Sequence, residues 1–254
     1  MAHQVIRRAG SGRSILVFET GEEMGKFALE RFRALAATAV SERGRFAAAL
    51  SGGRTPVDLY LRIGREAKDL TWRNIHIFLV DERFVPYNDD RSNYGMIRET
   101  LLDAVPIPAE NVYPFAVEGI DPEMSAEEYE GLLWDILGSG SDGAAPALDL
   151  AMLGMGEDGH TASLFPGSPV IHESTRLARA VPAGEGREAR ITLTLPMINA
   201  ARNILFLVAG KAKAAVLGRV AKERDPLLPA SLVRPHHGDL SFLCDREAAS
   251  GLDT

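Results

Sequence analysis

Short apolar runs alternate with amphipathic segments along most of the chain. Seven apolar runs have the length of buried strands: residues 14–18, 46–50, 75–80, 148–153, 191–195, 204–208 and 240–244. Between them, apolar residues recur at helical spacing in five segments: residues 20–39, 56–68, 93–102, 125–137 and 211–221. Residues 105–115 are interrupted by proline and predict extended chain. Strands that alternate with helices predict an α/β fold, with a mostly parallel Rossmann-like sheet covered by helices on both faces.

A glycine-rich loop follows the fourth of these strands. Residues 154–167 read GMGEDGHTASLFPG, and their first six residues fit the G-x-G-x-x-G pattern of dinucleotide-binding loops. Pro166 and Gly167 end any helix within two turns, and the next acidic residue, Glu173, is too close for the ribose contact of that motif. We therefore disfavour a dinucleotide site. His160 can exchange a proton near neutral pH and indicates a loop that carries chemistry.

Polar segments directly follow four of the predicted strands. They occupy residues 51–55, 81–83, 154–167 and 210–213, and each is rich in glycine or charge. Ligands of parallel α/β sheets bind beyond the carboxyl ends of the strands. We therefore expect all four segments to lie along one rim of the sheet.

The string SGGRTP, residues 51–56, links a strand to a helix. We predict Thr55 as the N-cap and Pro56 as the first helical residue. Backbone amides at such a helix start, with the Ser51 and Thr55 hydroxyls, would form an anion cradle; the alternative is a plain turn before a capped helix. A nucleotide P-loop is excluded because no lysine follows the second glycine. Lys211 and Lys213 begin a later helix, where the dipole disfavours lysine, so a ligand is favoured there, although solvent exposure explains Lys211 equally well.

Composition limits the class of protein. The 254 residues, 46% of them hydrophobic, suit one large domain, and we treat residues 1–254 as a single domain with a surface loop at 138–146. A net charge of −7 argues against a nucleic-acid partner. No apolar run reaches membrane-spanning length and the start lacks a signal-peptide core, so we expect no membrane partner. The single cysteine, Cys244, excludes an internal disulfide and indicates a reducing, cytoplasmic location.

Other chemistries have weaker support. Glu157 and Asp158 are adjacent, so their carboxylates are expected to point different ways rather than to form a glycosidase pair. The G-x-S-x-G elbow of serine hydrolases does not occur. His236 and His237 are contiguous, and neither an H-E-x-x-H motif nor a cysteine pair is present, so we expect no metal site.

Six motifs, in one order along nearly the whole chain, resemble those of the 6-phosphogluconolactonases in the glucosamine-6-phosphate isomerase/6-phosphogluconolactonase family. They are SGGxTP at 51–56, VDERxVP at 80–86, RSNY at 91–94, LGMGxDGHTASLFP at 153–166, RITLT at 190–194 and PASLVRP at 229–235. The string GHTASLFP is specific to the lactonases. The related deaminases continue Asp-Gly-His with a phenylalanine-asparagine-glutamate-proline run, and they have tyrosine at the position of Arg83.

The resemblance implies hydrolysis of 6-phosphoglucono-1,5-lactone to 6-phosphogluconate, with no metal or organic cofactor. We hypothesise that His160 is the general base that activates water and that Asp158 orients it. The expected phosphate ligands are the cradle and two cations: Ser51, Gly52, Gly53, Thr55, Arg190 and Lys213. Arg83, with Arg91 or Asn93, is expected near the lactone carbonyl or the sugar hydroxyls. The oxyanion donor stays open between backbone amides of the glycine loop and Arg83.

Two other functions remain open at this point. An isomerase-deaminase of the same fold, acting on glucosamine 6-phosphate, would release ammonia. A phosphosugar-binding sensor would bind its ligand tightly without lactone turnover, but such regulators usually carry a helix-turn-helix domain, and the segment before residue 14 is too short for one. We expect a monomer or a weak homodimer whose partner is the small phosphosugar lactone.

Overall fold

A computed structural model of the protein describes residues 4–7, 13–139, 144–184, 186–222 and 225–252. The strands in these ranges are β1 Gln4–Arg7, β2 Arg13–Phe18, β3 Phe46–Leu50, β4 Ile75–Leu79, β5 Asp81–Arg83, β6 Val112–Tyr113, β7 Leu150–Leu153, β8 Ala178–Val181, β9 Arg190–Leu193, β10 Asn203–Val208 and β11 Asp239–Asp245. The helices are α1 Gly21–Arg43, α2 Val57–Glu66, α3 Asn93–Thr100, α4 Pro122–Leu137, α5 Leu195–Asn199, α6 Ala214–Lys222, α7 Pro229–Leu232 and α8 Arg246–Ala249.

The main sheet has eight strands in the order β1-β2-β11-β10-β7-β3-β4-β6. All pairs are parallel except β1 with β2. Every residue of β3 and β7 is buried, which is the pattern of parallel strands covered on both faces. The predicted α/β fold with a mostly parallel sheet is confirmed.

Helix α1 shows how local sequence and packing act together. The Thr20 hydroxyl accepts the Glu23 amide at 3.2 Å and caps the start, and Gly44 ends the helix at φ +76°, where glycine is favoured. Phe32, which is fully buried, meets Phe46 of β3 edge to face with ring centroids 5.2 Å apart. Burying one such ring contributes about 2 kcal/mol and fixes α1 against the sheet.

A second, three-stranded sheet has the order β5-β9-β8 and is antiparallel. The run at 191–195, predicted as a strand, forms β9 of this small sheet rather than a strand of the main parallel sheet. Only the loop at 182–189 joins β8 to β9, and so short a connection permits antiparallel pairing only. This small sheet carries Arg83 and Arg190 opposite each other.

Two predicted helix starts also differ from the structure. Helix α4 begins at Pro122, because the Asp121 carboxylate accepts the amides of Glu123 and Met124 at 2.9 and 3.0 Å; Ser125 is buried and donates to the Ala116 carbonyl instead. Helix α2 begins at Val57 after a turn, without a side-chain cap, so the predicted Thr55 cap is wrong.

The segment predicted as a helix from residue 211 begins as a 3-10 turn, Lys211–Lys213, and becomes α-helical only at Ala214. Of the surface loop predicted at 138–146, residues 140–143 lie outside the described residues. Strands β1, β5 and β8 were not predicted, since none of them contains a long apolar run. Strand β6 lies within residues 105–115, which were predicted to be extended.

Candidate functional site

A cleft of about 480 Å³ opens beyond the carboxyl ends of β3, β4 and β7. Within the sheet, β4 and β6 lie on one side of β3, and β7, β10, β11 and β2 lie on its other side. The cleft therefore lies where the strand order reverses, which is the usual ligand site of open α/β sheets. Its lining includes nine of the residues predicted from sequence: Ser51, Gly52, Gly53, Thr55, Arg83, Asn93, His160, Arg190 and Lys213.

His160 and Asp158 form a close pair at one end of the cleft. The Nδ1 atom of His160 lies 2.6 Å from Oδ1 of Asp158, and the same oxygen accepts the His160 amide at 3.1 Å. Burial raises the pKa of Asp158, but the His160 amide and ring outweigh it, so the pKa ends below its ordinary value and the carboxylate stays charged. Because Nδ1 is engaged, Nε2 is the nitrogen left for proton transfer.

Two glycines give this pair its position. At Gly156 a Cβ atom would collide with the His160 ring, and the Gly156 amide donates to the His160 carbonyl at 2.8 Å. Gly159 has φ +83° and packs against Leu228, which a Cβ would approach within 2.7 Å. The Ala230 amide also donates to the Gly159 carbonyl at 3.0 Å. The backbone of the loop is thus held from both sides of the histidine.

The turn after His160 is strained and firmly tied. Ala162 has φ +52°, the one positive φ found for a non-glycine residue in the described ranges. An alanine in this region costs about 1–2 kcal/mol. The fully buried neighbours offset this cost: the Thr161 hydroxyl donates to the Gly154 carbonyl at 2.9 Å, and the Ser163 amide donates to Oγ1 of Thr192 at 3.1 Å.

The part of the cleft formed by the segment before α2 is suited to an anion. The amides of Gly53, Arg54 and Thr55 donate to no protein oxygen within the described chain. They precede α2, whose dipole adds partial positive charge. The buried Ser51 hydroxyl donates to the Met152 carbonyl at 2.7 Å, so its hydrogen is engaged in joining β3 to β7. Backbone amides, rather than the Ser51 hydroxyl, are therefore the available donors.

Two cations, Arg190 and Lys213, also line the cleft. The Arg190 side chain is 16% exposed, with Nη1 4.0 Å from Asp81 and Nη2 4.0 Å from Glu188. Its Nε is buried without a hydrogen-bond partner among the described residues. Burial lowers the pKa of Arg190 despite the Asp81 carboxylate, which shows a poorly solvated cation. Lys213 is half-buried and makes no ion pair in the part of the chain that the structure describes. Both cations would gain from an anionic ligand.

Arg83 and Asn93 form one wall of the cleft, whereas Arg91 does not line it. The Arg83 guanidinium donates to Oδ1 of Asn93 and, at 3.1 Å, to the Arg91 carbonyl. The Arg91 side chain is exposed and pairs with Asp89 at 2.8 Å and with Glu188 at 2.6 Å. The structure thus brings Arg83 and Asn93 to the cleft together and leaves Arg91 to anchor Arg83 through its backbone.

Some residues of the predicted rim segments line the cleft although the sequence assigned them no role. Asp81, Arg54 and Glu157 also line it, and Asp81 is 5% exposed. The position of Asp81 could have indicated its place in the cleft, because it directly follows an apolar strand, where ligands of parallel sheets bind. Glu82 is fully buried beside it and accepts the amides of Asn93 and Tyr94 at 2.6 and 2.8 Å, so it fixes the start of α3. Burial raises the pKa of Glu82 in spite of these donors.

Neither a metal-binding cluster nor a membrane-spanning helix occurs among the described residues. They place no three His, Cys, Asp or Glu side chains together in an arrangement that could hold a metal ion. None of their helices is long and apolar enough to cross a membrane.

Comparison with known proteins identifies the family of the chain. A family model described as glucosamine-6-phosphate isomerases/6-phosphogluconolactonase matches residues 19–242. A 6-phosphogluconolactonase of Synechocystis sp. is 42% identical over 216 residues, which cover 84% of this chain and 88% of that protein. The Mycobacterium tuberculosis 6-phosphogluconolactonase is 36% identical, covering 94% of this chain and 98% of the relative.

Solved structures extend the comparison. The 6-phosphogluconolactonase of Trypanosoma brucei superposes with a TM-score of 0.83 at 32% identity, covering 94% of this chain and 98% of that one. A monomeric glucosamine-6-phosphate deaminase, at 24% identity and a TM-score of 0.76 over 93% of this chain and 99% of that one, shares the fold. The chain therefore belongs to the glucosamine-6-phosphate isomerase/6-phosphogluconolactonase family.

Proposed function

We propose that this protein is a 6-phosphogluconolactonase, a hydrolase that opens 6-phospho-D-glucono-1,5-lactone to 6-phospho-D-gluconate in the oxidative pentose phosphate pathway. The observation that carries the proposal is the shared cleft. His160, which pairs with Asp158 at 2.6 Å, lines the same cleft as the unpartnered amides before α2 and the cations Arg190 and Lys213. Relatives of this name at 36–42% identity support the same assignment.

His160 acts as the general base in this proposal. Its Nε2 takes a proton from water as the oxygen attacks the lactone carbonyl carbon, which gives a tetrahedral oxyanion and a positively charged imidazole. The C–O bond to the ring oxygen then breaks, and the imidazole returns its proton to that oxygen. Asp158 is ionised and stabilises the charged imidazole between the two steps. One such base contributes roughly 10²–10⁴ in rate.

The phosphate of the substrate lies at the opposite end, against Gly52, Gly53 and Thr55. Its charge of about −1.5 to −2 matches the start of α2 together with Arg190 and Lys213. Arg83 and Asn93 lie near the lactone carbonyl or the sugar hydroxyls. Arg83 is a candidate for oxyanion stabilisation, as is the Ala162 amide, which makes no hydrogen bond within the described residues.

The proposal includes catalysis without a metal ion, by one domain spanning residues 1–254, in the cytoplasm. The pairing of β2 with β11 supports the single domain, because it joins distant parts of the chain in one sheet. The cytoplasm suits Cys244, which is a free and buried thiol.

The test is an assay of fresh 6-phosphogluconolactone, followed by acid release at constant pH and corrected for spontaneous opening. We expect turnover that persists after dialysis against a chelator and falls at least about 100-fold in His160→Gln. Undiminished turnover in that variant would exclude the base, and loss of activity on chelation would exclude metal independence. Ammonia release from glucosamine 6-phosphate, without lactone turnover, would show a deaminase instead.

A further inference from the structure

Asp81 is a buried carboxylate that lines the cleft and contacts residues of three other segments around it. Its Oδ2 accepts the Ser163 hydroxyl at 2.6 Å, and Ser163 lies three residues after His160. The same oxygen lies 4.0 Å from Nη1 of Arg190. Its Oδ1 lies 3.4 Å from Nδ2 of Asn93. One side chain therefore touches the loop of the base, a phosphate cation and the cleft wall.

The Ser163 contact is firmly placed. Ser163 is fully buried, and its amide donates to Oγ1 of Thr192, in the same strand β9 that carries Arg190. An O–H···O⁻ bond of 2.6 Å lies in the range of strong, charge-assisted hydrogen bonds. Movement of Asp81 would therefore displace the strained turn at Ala162 and, with it, His160.

The Arg190 contact is looser and has a competitor. Glu188 lies at the same distance of 4.0 Å from Arg190, at Nη2 rather than Nη1, and the Phe165 ring lies 5.6 Å from the guanidinium carbon. Glu188 already pairs with Arg91 at 2.6 Å, and without the Asp81 charge its remaining attraction would draw Arg190 towards Glu188 and away from Asp81. Asp81 thus holds Arg190 at the cleft through its charge, at a distance of 4.0 Å that leaves the guanidinium able to bind an anionic ligand.

We propose that Asp81 is a positioning residue that fixes Arg190 and the His160 loop in one arrangement, so that a bound phosphate and the base share a single geometry. It does so through Ser163 on one side and through its charge on the other. This inference rests on the proposed function for its kinetic consequences, but its effect on phosphate binding does not.

The experiment compares Asp81→Asn, Ser163→Ala and the double variant with the unchanged protein. Asp149→Asn is the matched control: Asp149 is also 5% exposed and bonded, to the Ala47 amide at 2.8 Å and to Arg43 at 3.0 Å, but it lies before β7, away from the cleft. Lactone kinetics give kcat and KM, calorimetry gives the affinity for inorganic phosphate, and thermal unfolding gives Tm.

Ser163→Ala should lower kcat about tenfold while KM and phosphate affinity stay within twofold, because only the loop of the base is released. Asp81→Asn should lower kcat and also weaken phosphate binding roughly fivefold. The double variant should show the same kcat as Asp81→Asn alone, because both substitutions act on the same hydrogen bond between Ser163 and Asp81. Asp149→Asn should lower Tm and leave both kinetic constants unchanged.

Two results would overturn the proposal. If Asp81 merely competes with the ligand for Arg190, Asp81→Asn would bind phosphate more tightly. If the Ser163 contact serves folding alone, Ser163→Ala would lower Tm as the control does and keep its kcat. Should Asp81→Asn fail to fold, Ser163→Ala decides the question, because it removes one hydroxyl. Lack of lactone turnover in the unchanged protein would refute the proposed function, and phosphate calorimetry would still decide the role of Asp81.

Discussion

A single added methyl group at Gly156 should displace the His160–Asp158 pair without changing its chemistry. A Cβ atom built on Gly156 would lie 2.5 Å from Oδ1 of Asp158 and closer still to Nδ1 of His160. The backbone gives no other reason for glycine, because the φ angle of Gly156 lies outside the left-handed region. Gly156→Ala therefore tests the steric contact with His160 and Asp158 alone, without added backbone strain.

The size of the effect follows from the displacement. To reach van der Waals separation, the imidazole or the carboxylate has to retreat by about 1 Å. A misplacement of about 1 Å can cost roughly 100-fold in rate, which corresponds to about 2.7 kcal/mol of activation free energy. We expect kcat to fall by about this factor and KM to change little, because the phosphate end of the cleft is not touched.

Gly154→Ala is the matched comparison in the same loop. A Cβ there meets nothing within 4 Å, and its φ is not positive either, so we expect a loss of less than about threefold. Lactone kinetics on both variants, with circular dichroism and Tm to confirm folding, give the answer. Equal activities of the two variants would refute the reasoning, because the geometry predicts a loss at Gly156 alone.

Three further predictions follow from the site and its surroundings. Arg190→Ala and Lys213→Ala should each raise KM for the phosphorylated lactone about tenfold or more, without altering the slow turnover of unphosphorylated gluconolactone; an unchanged KM would contradict the phosphate assignment. Glu157→Gln should strengthen inhibition by the product about threefold, because Glu157 lines the cleft and repels the carboxylate that the reaction creates. The inhibition constant of inorganic phosphate, which lacks that carboxylate, is the control. Glu173 accepts the amides of Thr175 and Arg176, and these donors lower its pKa from 4.5 to about 2. Its contribution to stability is therefore complete above pH 4.5 and is lost as the pH falls towards 2, so Glu173→Gln should reduce the free energy of unfolding by about 1–2 kcal/mol at pH 7 and progressively less below pH 4.5. A difference in unfolding free energy that is independent of pH would contradict this.

Periodicity predicted the fold where elements are long or fully apolar. The strand at Phe46–Leu50 was predicted at its observed bounds, and α1 was found because its buried face repeats over many turns. The prediction failed for β5 and β8, whose three or four residues carry no periodic signal, and for the pairing of β9. Strand partners depend on tertiary contacts that are absent from local sequence, so the small antiparallel sheet was not accessible to this reasoning.

The candidate site was predictable in part. The rule that ligands lie beyond the carboxyl ends of parallel strands placed His160, Arg83 and the residues of the anion cradle on one rim, and the structure brings them together. The same rule could not show that the Ser51 hydroxyl is engaged by a backbone carbonyl, or that Arg91 turns outward to Asp89. Such hydrogen-bond choices depend on neighbours that are distant in sequence.

The connection between β3 and β7 also has a kinetic consequence. The Ser51 hydroxyl and the Met152 carbonyl are 101 residues apart along the chain, and Asp81 and Ser163 are 82 apart. No local segment contains both ends of the cleft, and contacts between such distant residues form slowly because a long loop must close first. During refolding from denaturant, helical signal should therefore return well before lactone turnover, since the two halves of the cleft meet only when β7 joins β3.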